Sequence, residues 1–405
     1  MPAGVVIAGG GQAGYQVAAS LRSEGHDGAI QLVSGEPGVP YQRPPLSKAF
    51  LLGKQTADQI ALRPEAFYSQ HRIDLLAGER VASIDRAARR VKLASGGELR
   101  YETLVLATGA RNRDLPVPGA ALDGVCYLRT LPESMEIKQR LESASALVVI
   151  GGGFIGLEIA ASARALGKSV TLMEAQERLM QRAVAPLLSE YYLGLHQSRG
   201  VEVILNAAVS EIRGSGGRAS EVVLRDGARR AADVVVVGIG ILPNLELASD
   251  ARLAVANGVT VDEYLCTSDP RIHAIGDCAE YPNVFAGGRI RLESVQNAVD
   301  HAVTVARAIV GKRAPYTAVP WFWSDQFDAR LQMAGLQAGC DLSVTRGVVE
   351  SGKFSVFHFR GGQLRAVDSI NRAGDHIAAR KLLAAGALVT PEQAADESVD
   401  LKTLR

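Results

Sequence analysis

The apolar positions of this chain fall into a pattern that is written twice. Val5–Ala8 is a short β-branched run. It leads into Gly9-Gly10-Gly11-Gln12-Ala13-Gly14 and then into an Ala-rich stretch, 13–22, with helical spacing. Leu147–Ile150 leads in the same way into Gly151-Gly152-Gly153-Phe154-Ile155-Gly156 and a second Ala-rich stretch. The register continues past the turns: Ala18-Ala19-Ser20 and Gly25 match Ala160-Ala161-Ser162 and Gly167. Each copy therefore predicts a strand, a tight glycine turn and a helix. Further buried-type strands are expected at 30–33, 103–107, 169–173, 201–205, 221–224, 234–238 and 272–275. Beyond Pro320 the pattern changes to alternation, with strands expected at 331–334, 342–349 and 354–359 and a helix at 375–384.

G-x-G-x-x-G between a strand and a helix is the pattern of a dinucleotide site. The glycines let backbone N–H groups approach a pyrophosphate, and the helix adds the positive end of its dipole. One such turn is a weak signal; two in the same context predict two dinucleotides held at once, with electron transfer between them as the obvious use. A ribose also needs an acid at the end of the second strand. Glu174 stands there in the second copy, and a carboxylate repels a 2′-phosphate, so NAD is expected over NADP. In the first copy the strand is followed by Ser34-Gly35-Glu36, and Glu36 is the acid available; an exposed loop glutamate is the plain alternative.

Composition narrows the class. Of 405 residues, 47% are hydrophobic and 21% charged, as in an ordinary globular protein with room for two or three domains. A net charge of +1 gives no general attraction for nucleic acid. The four cysteines, at 126, 266, 278 and 340, are too scattered for a disulfide framework or a C-x-x-C, so a reducing, cytoplasmic setting is expected. The longest apolar run, 234–242, is broken by two glycines and far too short for a membrane span, and the N-terminal run reads as a strand instead of a signal peptide. No H-E-x-x-H or Cys/His cluster suggests a metal.

Together the two turns, Ala107-Thr108-Gly109 and Gly276-Asp277 resemble the two-dinucleotide flavoprotein disulfide reductase superfamily. Within it, Pro40-Tyr-Gln-Arg-Pro-Pro-Leu-Ser-Lys48, Trp321-Phe-Trp-Ser-Asp-Gln326 and Glu293-Ser-Val-Gln-Asn-Ala298 are similar to the NADH-dependent ferredoxin reductases of bacterial haem monooxygenases and ring-hydroxylating dioxygenases. The likeness runs over the whole chain, through Ser369-Ile-Asn-Arg372. The superfamily's redox cysteines are missing from residues 37–53, so electrons must leave the flavin directly.

The resemblance implies an α/β fold of two Rossmann-like domains and a C-terminal α+β domain. Residues 1–114 and 244–319 would bind FAD, 115–243 NAD, and 320–405 would form the third domain. It implies FAD contacts from Gly9, Gly11, Ala13, Gly14, Glu36, Arg43, Lys48, Val81, Thr108, Gly109, Arg129, Asp277, Val295 and Trp321, and NAD contacts from Gly151, Gly153, Ile155, Gly156, Glu174, Arg182 and Gly240. Lys48, paired with Glu158, would sit near the flavin N5, and Trp323 would form an aromatic wall over the flavin. The family often has an acid at position 35, where this chain has glycine, which leaves ribose recognition by Glu36 open. The implied activity is NADH:ferredoxin oxidoreduction, with a 2Fe-2S ferredoxin as partner; the sequence does not fix the oligomeric state, and a monomer is the expectation. A rubredoxin reductase of the same fold and a redox-switched flavoprotein like apoptosis-inducing factor are the alternatives. The second would call for a basic nucleic-acid face or an added targeting segment, and neither is visible.

Overall fold

The computed structural model describes residues 4–404. Its first sheet is built on parallel strands in the order Ile73–Ala77, Ile30–Ser34, Gly4–Ala8, Glu98–Leu106. Strand Glu98–Leu106 has two roles. Its end pairs in parallel with Ile272–Ala274, from far down the chain, while its start carries the antiparallel pair Arg90–Leu93 and Val81–Asp85. The second sheet repeats the design with Val201–Ile204, Ser169–Met173, Ala146–Ile150, Val234–Val237 and Val125–Tyr127, all parallel. Ala8 lies opposite Val33 and Leu106, and Ile150 opposite Met173 and Val237, so the two copies agree residue by residue. In each sheet the chain order reverses beside the first strand, the place where such folds open a ligand crevice.

Ala110–Asn112 and Ile241–Pro243 run antiparallel between the two units and carry the chain across and back. The stretch read as a strand at 221–224 does not join the parallel sheet. It lies in Arg218–Leu224, part of a separate antiparallel sheet with Val209–Ser215 and Arg229–Ala231. The glycines at 214, 216 and 217 fold this segment back on itself as a hairpin.

The segment after Pro320 is a five-stranded antiparallel sheet: Trp321–Gln326, Ala329–Gly335, Gln363–Ile370, Lys353–Arg360, Leu342–Val348. Helix Ala373–Ala385 covers one face against Phe357, Phe359 and Val367. The other face meets the second unit, where Leu331, Phe354, Val356 and Ile370 share one core with Leu157, Leu188, Tyr192 and Leu51. That shared core ties Leu51, just beyond the Pro-rich loop 36–48, to the helix Phe154–Ala165 after the second turn and to the last sheet. No helix among the described residues is long and apolar enough to cross a membrane.

Candidate functional site

The two glycine turns have the same construction. Gly9 and Gly151 have φ of +123° and +111°, and a Cβ would sit 2.1 Å and 2.3 Å from the carbonyl oxygens of Ala107 and Gly238. Gly14 and Gly156 lie against the carbonyls of Gly9 and Gly151, where a Cβ would come within 1.8 Å and 2.1 Å. These four glycines close the turn. Gly11 and Gly153 differ: a Cβ on either would meet nothing within 4 Å. They line open space at the starts of helices Gln12–Ser23 and Phe154–Ala165, and no described side chain caps either helix. A free helix N-terminus beside an open glycine is what a pyrophosphate needs. Ala13 sits beneath Gly276, 3.1 Å from where a Cβ there would lie.

Around the first turn, distant segments converge. Arg129 bridges Asp277 at 2.7 Å, and Arg129 Nε is buried without a partner among the described residues. Thr108 and Gly109 are tied to Asn244: the Thr108 hydroxyl donates to the Asn244 carbonyl, and the Asn244 amide donates back to the Thr108 carbonyl at 2.8 Å. Gly109 stands next to Arg129, where a Cβ would lie 3.6 Å from the guanidinium. Arg43 bridges Glu36 at 2.7 Å and also donates to the Arg129 carbonyl. Tyr41 donates to Glu36, and burial raises its pKa. Val81 begins an edge strand just beyond Glu79, whose N–H bonds the Ser34 carbonyl, which brings Val81 to the same rim as Glu36.

The duplicated register also locates the ribose position. Gly9 N–H bonds the Val33 carbonyl as Gly151 N–H bonds Met173, so Ser34 is the counterpart of Glu174. Glu36 lies two residues further on, with its carboxylate engaged by Arg43 and Tyr41. In the second copy Glu174 accepts from the backbone N–H of Gly152 at 2.6 Å and of Gln176 at 2.8 Å. Ile155 is 45% exposed at the mouth of this turn. The Arg182 guanidinium reaches the turn's rim, 3.9 Å from where a Cβ on Gly240 would be.

Between the first turn and the last sheet lies a cleft of about 420 Å³, lined by Gln12, Pro45, Lys48, Val295, Trp323 and Asp325 among others. Lys48 bridges Glu158 at 2.9 Å. Glu158 is 3% exposed, on the helix that follows the second turn. Its carboxylate also accepts the hydroxyls of Ser47 at 2.5 Å and Ser324 at 2.7 Å. Ser162 and Ser134 anchor the loop by donating to the Ser47 and Leu46 carbonyls, each at 2.7 Å. Trp321 and Trp323 share a strand face, with rings 5.6 Å apart. Trp323 reaches the cleft. Trp321 does not line it; its ring lies under Arg380 and edge-on to His376. Phe322, on the opposite face, contacts Phe154 of the second turn.

Ser47, Ser324, Gln326 and Phe154 lie within stretches that the sequence marks, but the sequence alone gives none of the four a role. The signal present for two of them is a serine and a glutamine on the inward side of an aromatic strand, where alternation calls for apolar residues.

The geometry agrees with comparison to known proteins. Residues 3–302 match the family model described as pyridine nucleotide-disulphide oxidoreductase, and residues 321–405 match the reductase C-terminal model. The chain belongs to the pyridine nucleotide-disulphide oxidoreductase family. It is 52% identical over 398 residues to rhodocoxin reductase of Rhodococcus erythropolis, covering 98% of this chain and 93% of the relative. It is 41% identical over 405 residues to putidaredoxin reductase CamA of Pseudomonas putida, covering 99% and 96%. Among solved structures, the ferredoxin reductase for the CYP199A2 system from Rhodopseudomonas palustris superposes with a TM-score of 0.97, at 49% identity and 99% coverage of both chains. The chain is thus a flavoprotein oxidoreductase of two dinucleotide-binding domains and a C-terminal domain, with FAD and a nicotinamide nucleotide as its cofactors.

Proposed function

We propose that this enzyme is an NADH:ferredoxin oxidoreductase that supplies electrons to an oxygenase through a 2Fe-2S ferredoxin. The observation that carries the proposal is the pair of open glycine cradles together with the cleft that joins Lys48, Trp323 and the first turn. No cysteine lies in that cleft's lining, so no thiol relay stands between cofactor and partner. Bound FAD supplies the conversion between a two-electron hydride and single electrons.

The chain's residues do the rest. In this reading, residues 1–114 and 244–319 hold FAD. The Gly9–Gly14 turn binds the pyrophosphate, and Ala13 and Gly276 keep the helix close to the strand end. Asp277, oriented by Arg129, accepts bonds from the ribityl hydroxyls. Arg43, Glu36, Val81, Thr108 and Gly109 form the nucleotide rim, and Val295 lines the cleft beside it, while Trp321 stands outside that lining, under Arg380. Residues 115–243 hold NADH on the turn formed by Gly151, Gly153, Ile155 and Gly156. Glu174 takes the adenosine ribose, and Arg182 and Gly240 bound the site. Glu158 holds Lys48 at the cleft, where its positive charge would favour the reduced flavin, and Trp323 would shield the bound cofactor from water. Residues 320–405 form one wall of the cleft.

The test is an assay with NADH and a panel of acceptors: 2Fe-2S ferredoxins, a rubredoxin and ferricyanide. Fastest turnover with a 2Fe-2S ferredoxin supports the proposal. Faster turnover with rubredoxin assigns the same fold a different partner.

A further inference from the structure

The ion pair beside the cleft does not end at Glu158. Ser324 donates to Glu158 Oε1, the atom that also receives Lys48, and Ser324 Oγ accepts from Gln326 Nε2 at 3.2 Å. Gln326 Oε1 in turn lies 3.0 Å from His196 Nε2. Burial depresses His196 to about 4, so the imidazole is neutral near pH 7. Its Nε2 carries the proton that Gln326 Oε1 accepts, and Nδ1 is left without a partner among the described residues. Ser324, Gln326 and His196 each have 0% exposure. The members come from three parts of the fold: the Pro-rich loop, two helices of the second unit, and the first strand of the C-terminal sheet.

Every donor in this line points the same way: His196 N–H to Gln326, Gln326 N–H to Ser324, Ser324 O–H to Glu158. A chain of aligned hydrogen bonds polarises along its length, and here all of it ends on one carboxylate. Glu158 without the Ser324 hydroxyl has one less neutral donor and draws more heavily on the Lys48 ammonium. The charge that Lys48 presents toward the cleft is thus set by how fully the serines satisfy Glu158. Plain core filling does not require this arrangement, because apolar side chains on the same strand face would pack there without the cost of burying polar groups.

We infer that Ser324 and Gln326 are positioning residues for hydride transfer, acting on the flavin through Glu158 and Lys48. The inference rests on the reading that Lys48 faces the flavin.

The experiment uses the FAD-loaded enzyme and two readouts, the flavin midpoint potential and the limiting rate of flavin reduction by NADH, in a double-mutant cycle of Ser324→Ala and Lys48→Met. Losing a hydrogen bond to a charged group predicts a limiting rate slower by about tenfold in Ser324→Ala. The potential falls in the same variant, with NADH half-saturation unchanged. In the Lys48→Met background, Ser324→Ala produces no further change in either readout. Gln326→Leu, which keeps the Ser324 hydroxyl, gives a smaller effect in the same direction, and it carries the test if Ser324→Ala does not retain FAD. An equal loss in both backgrounds overturns the inference, since a packing defect does not need Lys48. So does an unchanged Ser324→Ala potential alongside an altered Lys48→Met potential. If Lys48→Met itself leaves rate and potential unchanged, the placement of Lys48 at the flavin fails, and the inference fails with it.

Discussion

Gly153→Ala separates binding from folding at the second turn. Gly153 has φ −81° and ψ 178°, extended backbone that alanine adopts without strain, and the new methyl would meet no atom within 4 Å. The cost to the protein is that of replacing an N-cap glycine by alanine, at most about 1 kcal/mol. The cost to NADH is larger, because the methyl occupies the space through which the turn's N–H groups reach the pyrophosphate. Loss of one charge-assisted hydrogen bond is worth about 1.5–3 kcal/mol, which weakens NADH binding roughly tenfold to hundredfold. Stopped-flow reduction of the flavin at increasing NADH concentration measures this. Half-saturation should rise by that factor while the limiting rate and FAD content hold. Gly156→Ala is the contrast: its Cβ would lie 2.1 Å from the Gly151 carbonyl oxygen, so it should lower thermal stability outright. Unchanged half-saturation in Gly153→Ala, or loss of FAD from it, would refute the assignment of this turn to NADH.

Cofactor choice should depend on Glu174, whose carboxylate is fixed by two backbone N–H groups. A 2′-phosphate about 4 Å away costs roughly 1 kcal/mol in water and several times that where solvent is excluded. Glu174→Gln should therefore narrow the preference for NADH, and equal kcat/KM for both nucleotides in the unaltered enzyme would contradict the reading. Acid should destabilise the fold below pH 6.5. Burial holds His196 and His376 at about 4 and His301 at about 3, so the unfolded chain takes up these protons first, from its ordinary 6.5. Stability from each is full above pH 6.5 and falls as pH drops toward the folded value, by about 2 kcal/mol per residue at pH 5. A thermal midpoint that stays level from pH 7 to pH 5 would be inconsistent with this. Ferredoxin docking should weaken with salt more than ferricyanide reduction does. Arg307, Lys312 and Arg313 are the first candidate docking cations, with Arg63 and Arg72 as a second option. Arg307 and Lys312 both pair with Glu24, at 2.9 Å and 2.8 Å, and Arg313 pairs with Asp262 at 3.3 Å. The patch is thus partly neutralised, and replacing Arg307 and Lys312 by Gln should raise the ferredoxin KM by only a few-fold, at low salt. An unchanged KM would remove this face from consideration.

What is legible in the sequence is what is contiguous in it. Each glycine turn, its strand and its helix lie within a short segment, so the residues alone reveal the duplicated dinucleotide design, with Glu174 at the end of the second strand. Strand Gln363–Ile370 escapes a reading by pattern because Arg365 and Asp368 interrupt its apolar positions. Asp368 is nevertheless buried, 3.2 Å from His358 on the next strand. Counting along the first copy leads to Glu36, the nearest acid, whereas strand register places Ser34 opposite the first turn; only pairing across the sheet distinguishes them. Family likeness joins Lys48 to Glu158, because residues so far apart in sequence meet only through tertiary packing. Ser324 and Gln326 stand within the Trp321–Gln326 motif, but nothing in the sequence joins them to Glu158 or to His196. Each is an ordinary polar residue until the last sheet closes over the second-turn helix.

One NADH, through one bound FAD, should deliver single electrons to a 2Fe-2S ferredoxin. The most direct measurement mixes the FAD-loaded enzyme anaerobically with a limiting amount of NADH and an excess of 2Fe-2S ferredoxin, and counts reduced ferredoxin by absorbance. Two ferredoxins should be reduced for each NADH consumed. NADH oxidation that leaves the ferredoxins oxidised while another acceptor takes the electrons would contradict it.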